Sequence, residues 1–276
     1  MVGGAGRAGG PPSGAAGGVS DNYRGAGQRW ATGACLVYGP IAEQLVARSP
    51  HPLDGRLVLD AGAGTGAASA ALLARRARPV AADLSADMLR YNTSAGGARV
   101  VGDICALPLA DAAVHDAVAA FVLNHLVNPG PAFRELVRVV RPGGVVLACV
   151  YANSSRSAVR DRVDEVARAA GWQAPDWYVE AKAHATPVLG TAAAMAAAAG
   201  DAGLSEITVE ERPVDVGVTE PSQLVAYRFG QAPFTAWLDS IGPVEGEAVR
   251  RAAVQAVRPV MEPYRPVVVF LAATRP

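Results

Sequence analysis

The segment Val58-Leu59-Asp60-Ala61-Gly62-Ala63-Gly64-Thr65-Gly66 constrains the fold of this chain more than any other. A short apolar run ends in a carboxylate, a glycine turn follows, and an alanine-rich stretch over 67–76 continues with helical spacing. Glycine tolerates positive φ and lets backbone approach a ligand, while the N-terminus of the next helix offers free N–H groups. Gly62, Gly64 and Ala67 also satisfy the dinucleotide fingerprint, and Asp83 lies about 20 residues on, where a ribose-binding acid sits. The loop alone leaves the ligand open.

Its surroundings repeat the same grammar. Apolar strand-like runs at 79–82, 99–101, 116–122 and 145–150 alternate with helix-like stretches at 67–76, 85–92 and 131–140, and an earlier helix is expected to begin at Pro40. Beyond Val150, helices are predicted over Ser155–Ala170 and Ala192–Ala199, and strands at Ile207–Glu211 and Val267–Leu271. Between those two strands, Phe234, Trp237, Leu238 and Ile241 fall at i, i+3, i+4 and i+7, and Val249, Ala253, Ala256 and Val257 form a second amphipathic stripe. The expected fold class is α/β: a Rossmann-like, doubly wound, mostly parallel seven-stranded sheet with a helical lid insertion. Residues 1–20, nearly all Gly, Ala, Pro and Ser, read as a disordered leader, and 21–276 as one domain. Within it, 35–151 is the binding core, and 152–190 and 212–263 are helical insertions forming the lid.

Charge narrows the partners. The chain of 276 residues carries 25 Lys and Arg against 25 Asp and Glu, and 51% of it is hydrophobic. It can bury a sizeable core and has no excess cation for a phosphate backbone or acidic lipid, so neither nucleic acid nor membrane is expected as a partner. Cys35, Cys105 and Cys149 are odd in number and include no Cys-x-x-Cys pair, which argues against a disulfide framework or zinc ribbon and for a reducing cytoplasm. The apolar run at 267–273 is far short of the roughly 18 residues that span a bilayer.

Three features accompany the loop: Asp60 two residues before the first glycine, Gly102-Asp103 ending the third strand, and Arg141-Pro142-Gly143-Gly144 before the fifth. With VLDAGAGTG, ADLSADML, GDICALPLAD, DAVAAFVLNHL and RPGG in this order, the chain resembles the class I S-adenosylmethionine-dependent methyltransferases of small-molecule type. The resemblance is close over 35–151 and looser over 190–276. It implies S-adenosylmethionine as cofactor and assigns roles by position. Gly62, Ala63 and Gly64 would lie against the methionine moiety, with Asp60 holding the turn or reaching the ammonium through water. Asp83 would accept from both ribose hydroxyls, Leu84 and Met88 would flank the adenine, Asp103 would accept from its amino group, and Ile104 would pack on the ring. Phe121 and Val122 would present backbone beside the methyl. Taken singly, the three aspartates fit caps and Met88 and Phe121 fit a core equally well. Asp111 and Asp116 are expected in solvent or turns.

The resemblance also places acceptor specificity in the N-terminal segment and the insertions. Tyr23, Trp30 and Tyr38 lie in the first, Trp177 and Tyr178 in the second, Phe234 and Trp237 in the third; together they suggest an apolar pocket, although any one of them also serves to pack helices. His184, with Tyr227 as partner, is the first candidate for a proton acceptor; His125, in Leu123-Asn124-His125-Leu126, is the second. Phe-Val-Leu-Asn at 121–124 departs from the Asn/Asp-Pro-Pro-Tyr/Phe of enzymes that methylate base or glutamine amides. Phe121 stands where metal-dependent catechol enzymes place a carboxylate, so no metal is expected. The reading is methyl transfer to an apolar or aromatic small molecule, carbon ranked ahead of oxygen and nitrogen. A nicotinamide oxidoreductase is the first rival, opposed by Asp60, Asp103 and the absence of a Tyr-x-x-x-Lys pair; a non-methylating cyclase that retains the cofactor is the second.

Overall fold

The computed structural model describes residues 21–95 and 98–276; the expected leader lies outside them. Seven strands are laid down in chain order: β1 (Leu57–Ala61), β2 (Arg78–Asp83), β3 (Arg99–Val101), β4 (Asp116–Ala120), β5 (Val145–Tyr151), β6 (Ser205–Pro213) and β7 (Val267–Thr274). They form one sheet in the order β3-β2-β1-β4-β5-β7-β6. β1 to β5 pair in parallel, and β7 inserts antiparallel to both β5 and β6. The expected doubly wound, mostly parallel sheet is therefore present.

Side chains of the central strands alternate between two apolar layers, as the period of two requires. Val58, Val118 and Leu147 point to one layer, and Leu59, Ala117 and Val146 to the other. On the first layer pack α1 (Cys35–Val46), α2 (Ala67–Ala74), α5 (Ala158–Ala169), α8 (Pro221–Phe229) and α9 (Thr235–Val257). On the second lie α4 (Gly130–Val139) and α7 (Ala192–Asp201). In α4, Phe133 and Leu136 are fully buried, each contributing about 1.5–3 kcal/mol of apolar transfer.

Three expectations change on contact with the fold. The first helix does not begin at Pro40: α1 already runs from Cys35, and Pro40 sits inside it. The two amphipathic stripes after Thr219 belong to α9, interrupted at Gly242 (φ 76°), after which Pro243 restarts the second half. Most importantly, 212–263 is not a separate cover. Leu224, Phe229, Phe234, Leu238, Val249 and Val257 join the same buried layer as the central strands, because their apolar faces are needed to close that side of the sheet.

Candidate active site

In an open α/β sheet, ligands bind beyond the carboxyl ends of the strands where the strand order reverses, here between β1 and β4. A cavity of about 370 Å³ opens at that point. Every residue that the resemblance assigns to the cofactor lines it: Asp60, Gly62, Ala63, Gly64, Asp83, Leu84, Met88, Asp103, Ile104, Phe121 and Val122.

The glycine loop is held by hydrogen bonds at both ends. Gly62 N and Ala63 N donate to the Ala82 carbonyl at 2.8 and 3.0 Å. Gly62 (φ 68°) can be nothing else, since a Cβ there would lie 2.3 Å from Cβ of Val122. At the tip of β2, Asp83 Oδ2 accepts from Gly64 N and Oδ1 from Ser85 N, both at 2.8 Å. A carboxylate has about four acceptor sites, so these two bonds fix its plane and leave one lone pair on each oxygen for a vicinal diol. Burial pushes the Asp83 carboxyl above its ordinary range, and the two N–H bonds oppose that shift. Ser85 also caps α3 (Ala86–Arg90), accepting from Met88 N at 3.3 Å, which seats Met88 in the wall. Asp103 Oδ1 accepts from Cys105 N at 2.8 Å, so its capping role is real and its other oxygen is the one available to a ligand.

Asp60 is the most telling group. It is 1% exposed, and Ser69 Oγ donates to its Oδ2 at 2.6 Å, with Asn92 Nδ2 donating in turn to Ser69 Oγ at 3.1 Å. Burial pushes its pKa up to about 6, because no cation among the described residues stands against it. A buried carboxylate at the end of a ligand cavity, lacking a counter-charge, fits a ligand that brings its own cation. The α-ammonium of S-adenosylmethionine is such a group, and the two acceptor sites of Asp83 suit its ribose. The residues present therefore fit the cofactor.

Beyond Phe121 the cavity becomes aromatic. Phe121 is held at φ 58°, a strained value for a side chain with a Cβ, and its N–H donates to the Cys149 carbonyl at 2.9 Å. Tyr38 packs edge-on to Phe121 at 4.9 Å and stacks on Trp30 at 5.2 Å; Tyr23 meets Trp30 at 5.7 Å. Tyr23, Trp30, Tyr38 and His125 all line the cavity. His125 Nε2 lies 3.3 Å from Tyr23 Oη. Burial drives the imidazole pKa down to about 4, with Lys182 adding a smaller push in the same direction, and raises the Tyr23 phenol well above its usual range. At pH 7 the ring is neutral and the phenol keeps its proton.

The other expected acceptor residues lie elsewhere. Trp177 backs Tyr23 at 6.3 Å without lining the cavity, and Tyr178 faces Arg228. Phe234 is fully buried against Trp172 at 4.2 Å, and Trp237 packs on Phe229. His184 is exposed on the turn of helix at Ala181–Ala185, and Tyr227 is 1% exposed in the core, so the expected His184–Tyr227 pair does not form. Asp116 is not in solvent either: it is 1% exposed, takes Arg56 Nε and Nη2 at 2.6 and 3.0 Å, and accepts from Val145 N at 2.9 Å.

Sequence reasoning missed the supports. Ser69 and Asn92 position Asp60 from 9 and 32 residues away, and only Ser85, an N-cap type before a helix, carried a local signal. A second omission is the buried chain Asp164–Arg228–Gln231. Asp164 accepts from Arg228 Nε and Nη2 at 2.6 and 2.8 Å, and Arg228 Nη1 donates to Gln231 Oε1.

Comparison with known proteins agrees with this geometry. Residues 59–148 match the family model described as a methyltransferase domain. A demethylmenaquinone methyltransferase of Clavibacter sepedonicus is 37% identical over 122 residues, 42% of this chain and 50% of the relative. The chain thus aligns with about half the length of the curated relatives it matches. Among solved structures, an S-adenosylmethionine-dependent methyltransferase of Thermotoga maritima superposes with a TM-score of 0.55 at 16% identity, covering 94% of this chain and 99% of that one. A phosphoethanolamine N-methyltransferase of Haemonchus contortus, bound to S-adenosylhomocysteine, gives a TM-score of 0.54 at 16% identity over 86% of this chain and 52% of the other. At such identities the two structures attest the fold. The segment matched in sequence, residues 59–148, is the one built around the glycine loop, Asp83 and Asp103, and it is a methyltransferase domain of the S-adenosylmethionine-dependent, class I type.

Proposed function

We propose that the chain transfers the methyl group of S-adenosylmethionine to a ring carbon of a neutral, largely apolar aromatic acceptor, of which a quinol is the best-supported class. The observation that carries this reading is the continuity of one cavity from Asp60, Asp83 and Asp103 to the box of Tyr23, Trp30, Tyr38 and His125. The bound cofactor supplies an activated methyl, so the protein's work is alignment and exclusion of water. Asp60 and Asp83 anchor the two polar ends of the cofactor, Met88 and Ile104 hold its base, and the aromatic box seats the acceptor ring. The similarity to demethylmenaquinone methyltransferases supports a quinone-type ring.

The low basicity of His125 favours carbon over oxygen. O-methylation of a phenol calls for a base strong enough to remove a phenolic proton, which an imidazole of pKa about 4 does poorly. C-methylation places the proton on a ring carbon that has just taken the methyl: the ring's electron pair forms C–CH₃, the S–CH₃ pair stays on sulfur, and the C–H proton becomes strongly acidic. A weak, neutral base suffices to collect it, and His125, which lines the cavity, is the candidate. The test is transfer of labelled methyl to a panel of a naphthoquinol with an open ring carbon, a simple phenol and an aryl amine, with wild type and Trp30→Ala. Label in the quinol alone, lost in Trp30→Ala, is expected; label in the amine or phenol and not in the quinol overturns the reading.

A further inference from the structure

A chain of buried polar groups reaches the aromatic box from behind, and its hydrogen-bond directions can be counted. The Asp164 carboxylate accepts twice from Arg228, so the guanidinium is fixed as donor toward Gln231. Arg228 Nη1 donates to Gln231, which identifies the amide oxygen and leaves Nε2 pointing the other way. Nε2 has two hydrogens, and both are taken: one goes to Tyr38 Oη at 3.1 Å and one to Tyr227 Oη at 3.2 Å. Tyr227 Oη also lies 3.1 Å from Tyr151 Oη. Gln231, Arg228 and Asp164 are 8%, 4% and 7% exposed, so water does not scramble these directions. Tyr38 is therefore an acceptor toward Gln231, and its own O–H is directed away from it. Tyr38 is also the member of the chain that lines the cavity, between Trp30 and Phe121.

A buried network of this length in an otherwise apolar layer is costly unless every partner is satisfied, and the Tyr38 hydrogen is the one that sits on the cavity wall, within reach of a ligand. We propose that Tyr38 is a positioning and specificity residue whose O–H, set as donor by the Asp164–Arg228–Gln231 relay, holds an oxygen on the acceptor ring. The inference rests on the quinol reading and adds to it: one ring oxygen is bound at Tyr38, which fixes which ring carbon faces the methyl. The neighbouring hydroxyl, Tyr151 Oη, is paired with Tyr227 Oη at 3.1 Å, which leaves the Tyr38 hydrogen to the ring oxygen of a seated acceptor.

The test uses the full-length chain saturated with S-adenosylhomocysteine and three probes: an alkylated 1,4-naphthoquinol and the two naphthols that each lack one of its oxygens. In wild type the quinol is expected to bind about tenfold more tightly than one of the two naphthols, the worth of one hydrogen bond between neutral groups. Tyr38→Phe should bring the quinol to the level of that naphthol and leave the naphthol and the S-adenosylhomocysteine affinity unchanged. Gln231→Glu keeps the contact with Arg228 but turns a donor into an acceptor that recruits the Tyr38 hydrogen, so it should reproduce the Tyr38→Phe loss, with no further loss in the double variant. Tyr151→Phe leaves the Asp164–Arg228–Gln231 relay and its bond to Tyr38 in place and should not weaken the quinol. Equal losses for all three probes in Tyr38→Phe, additive losses with Gln231→Glu, or weaker quinol binding in Tyr151→Phe overturn the proposal and leave the quinol reading standing. Wild type that binds none of the probes overturns both.

Discussion

The ionisation of Asp60 should govern cofactor affinity across the mildly acidic range. Its carboxyl is buried, bonded to Ser69 and without a cation among the described residues, and burial puts its pKa at about 6 in the free protein. Binding of a ligand ammonium beside it lowers that pKa, so binding releases a proton wherever the free carboxyl is still protonated. The sign follows: affinity falls as pH drops through 6 and reaches a plateau above it. With a free pKa of about 6 and a bound value well below 5, the free protein is about ten-elevenths protonated at pH 5, and the dissociation constant rises about tenfold between pH 7 and pH 5. Asp60→Asn keeps the shape and an acceptor for Ser69 but removes the titration. It should weaken binding at pH 7 by about 1.5–3 kcal/mol, the range for a charge-assisted bond, and flatten the profile. Isothermal calorimetry of S-adenosylhomocysteine at pH 5, 6 and 7 in buffers of different ionisation enthalpy reads both affinity and proton release. A flat profile in wild type, or the same slope in Asp60→Asn, would refute the assignment.

Other outcomes follow from the same contacts. His125→Gln should slow methyl transfer at least tenfold with S-adenosylhomocysteine affinity intact, while His184→Ala, on an exposed turn, should leave rate and product unchanged in a steady-state assay. Gly62→Ala forces a Cβ into Val122 at a residue with φ 68°, and thermal melts should show a loss of about 1–3 kcal/mol. Arg228→Met strands the Asp164 carboxylate in the core, and chemical denaturation should report a loss of about 3–5 kcal/mol, largely recovered when Asp164→Leu is added.

Much of the molecule was legible in the sequence because its signals are local. The strand–glycine–helix unit at 57–74, the alternating apolar runs and the acids at the ends of β1 and β2 and after β3 are each marked by their immediate neighbours in the chain, and each lies where expected. What failed is long-range. An amphipathic stripe states that a helix face is buried, not against what, so α8 and α9 read as a lid when they close the main core. A histidine in an aromatic neighbourhood of the sequence is no nearer the cavity for that, since the turn at Ala181–Ala185 carries His184 outward while His125, directly after β4, is carried inward. The Arg228–Asp164 pair, 64 residues apart, has no local signature at all.

The central claim, methyl transfer to a ring carbon, is tested most directly by carbon-13 NMR of the product formed from methyl-labelled S-adenosylmethionine and a naphthoquinol with an unsubstituted ring carbon. The account predicts one labelled resonance in the aryl C-methyl region, coupled to the ring carbon beside an oxygenated position. A labelled methoxy or N-methyl resonance, or unlabelled quinol with the enzyme folded and the cofactor bound, would contradict it.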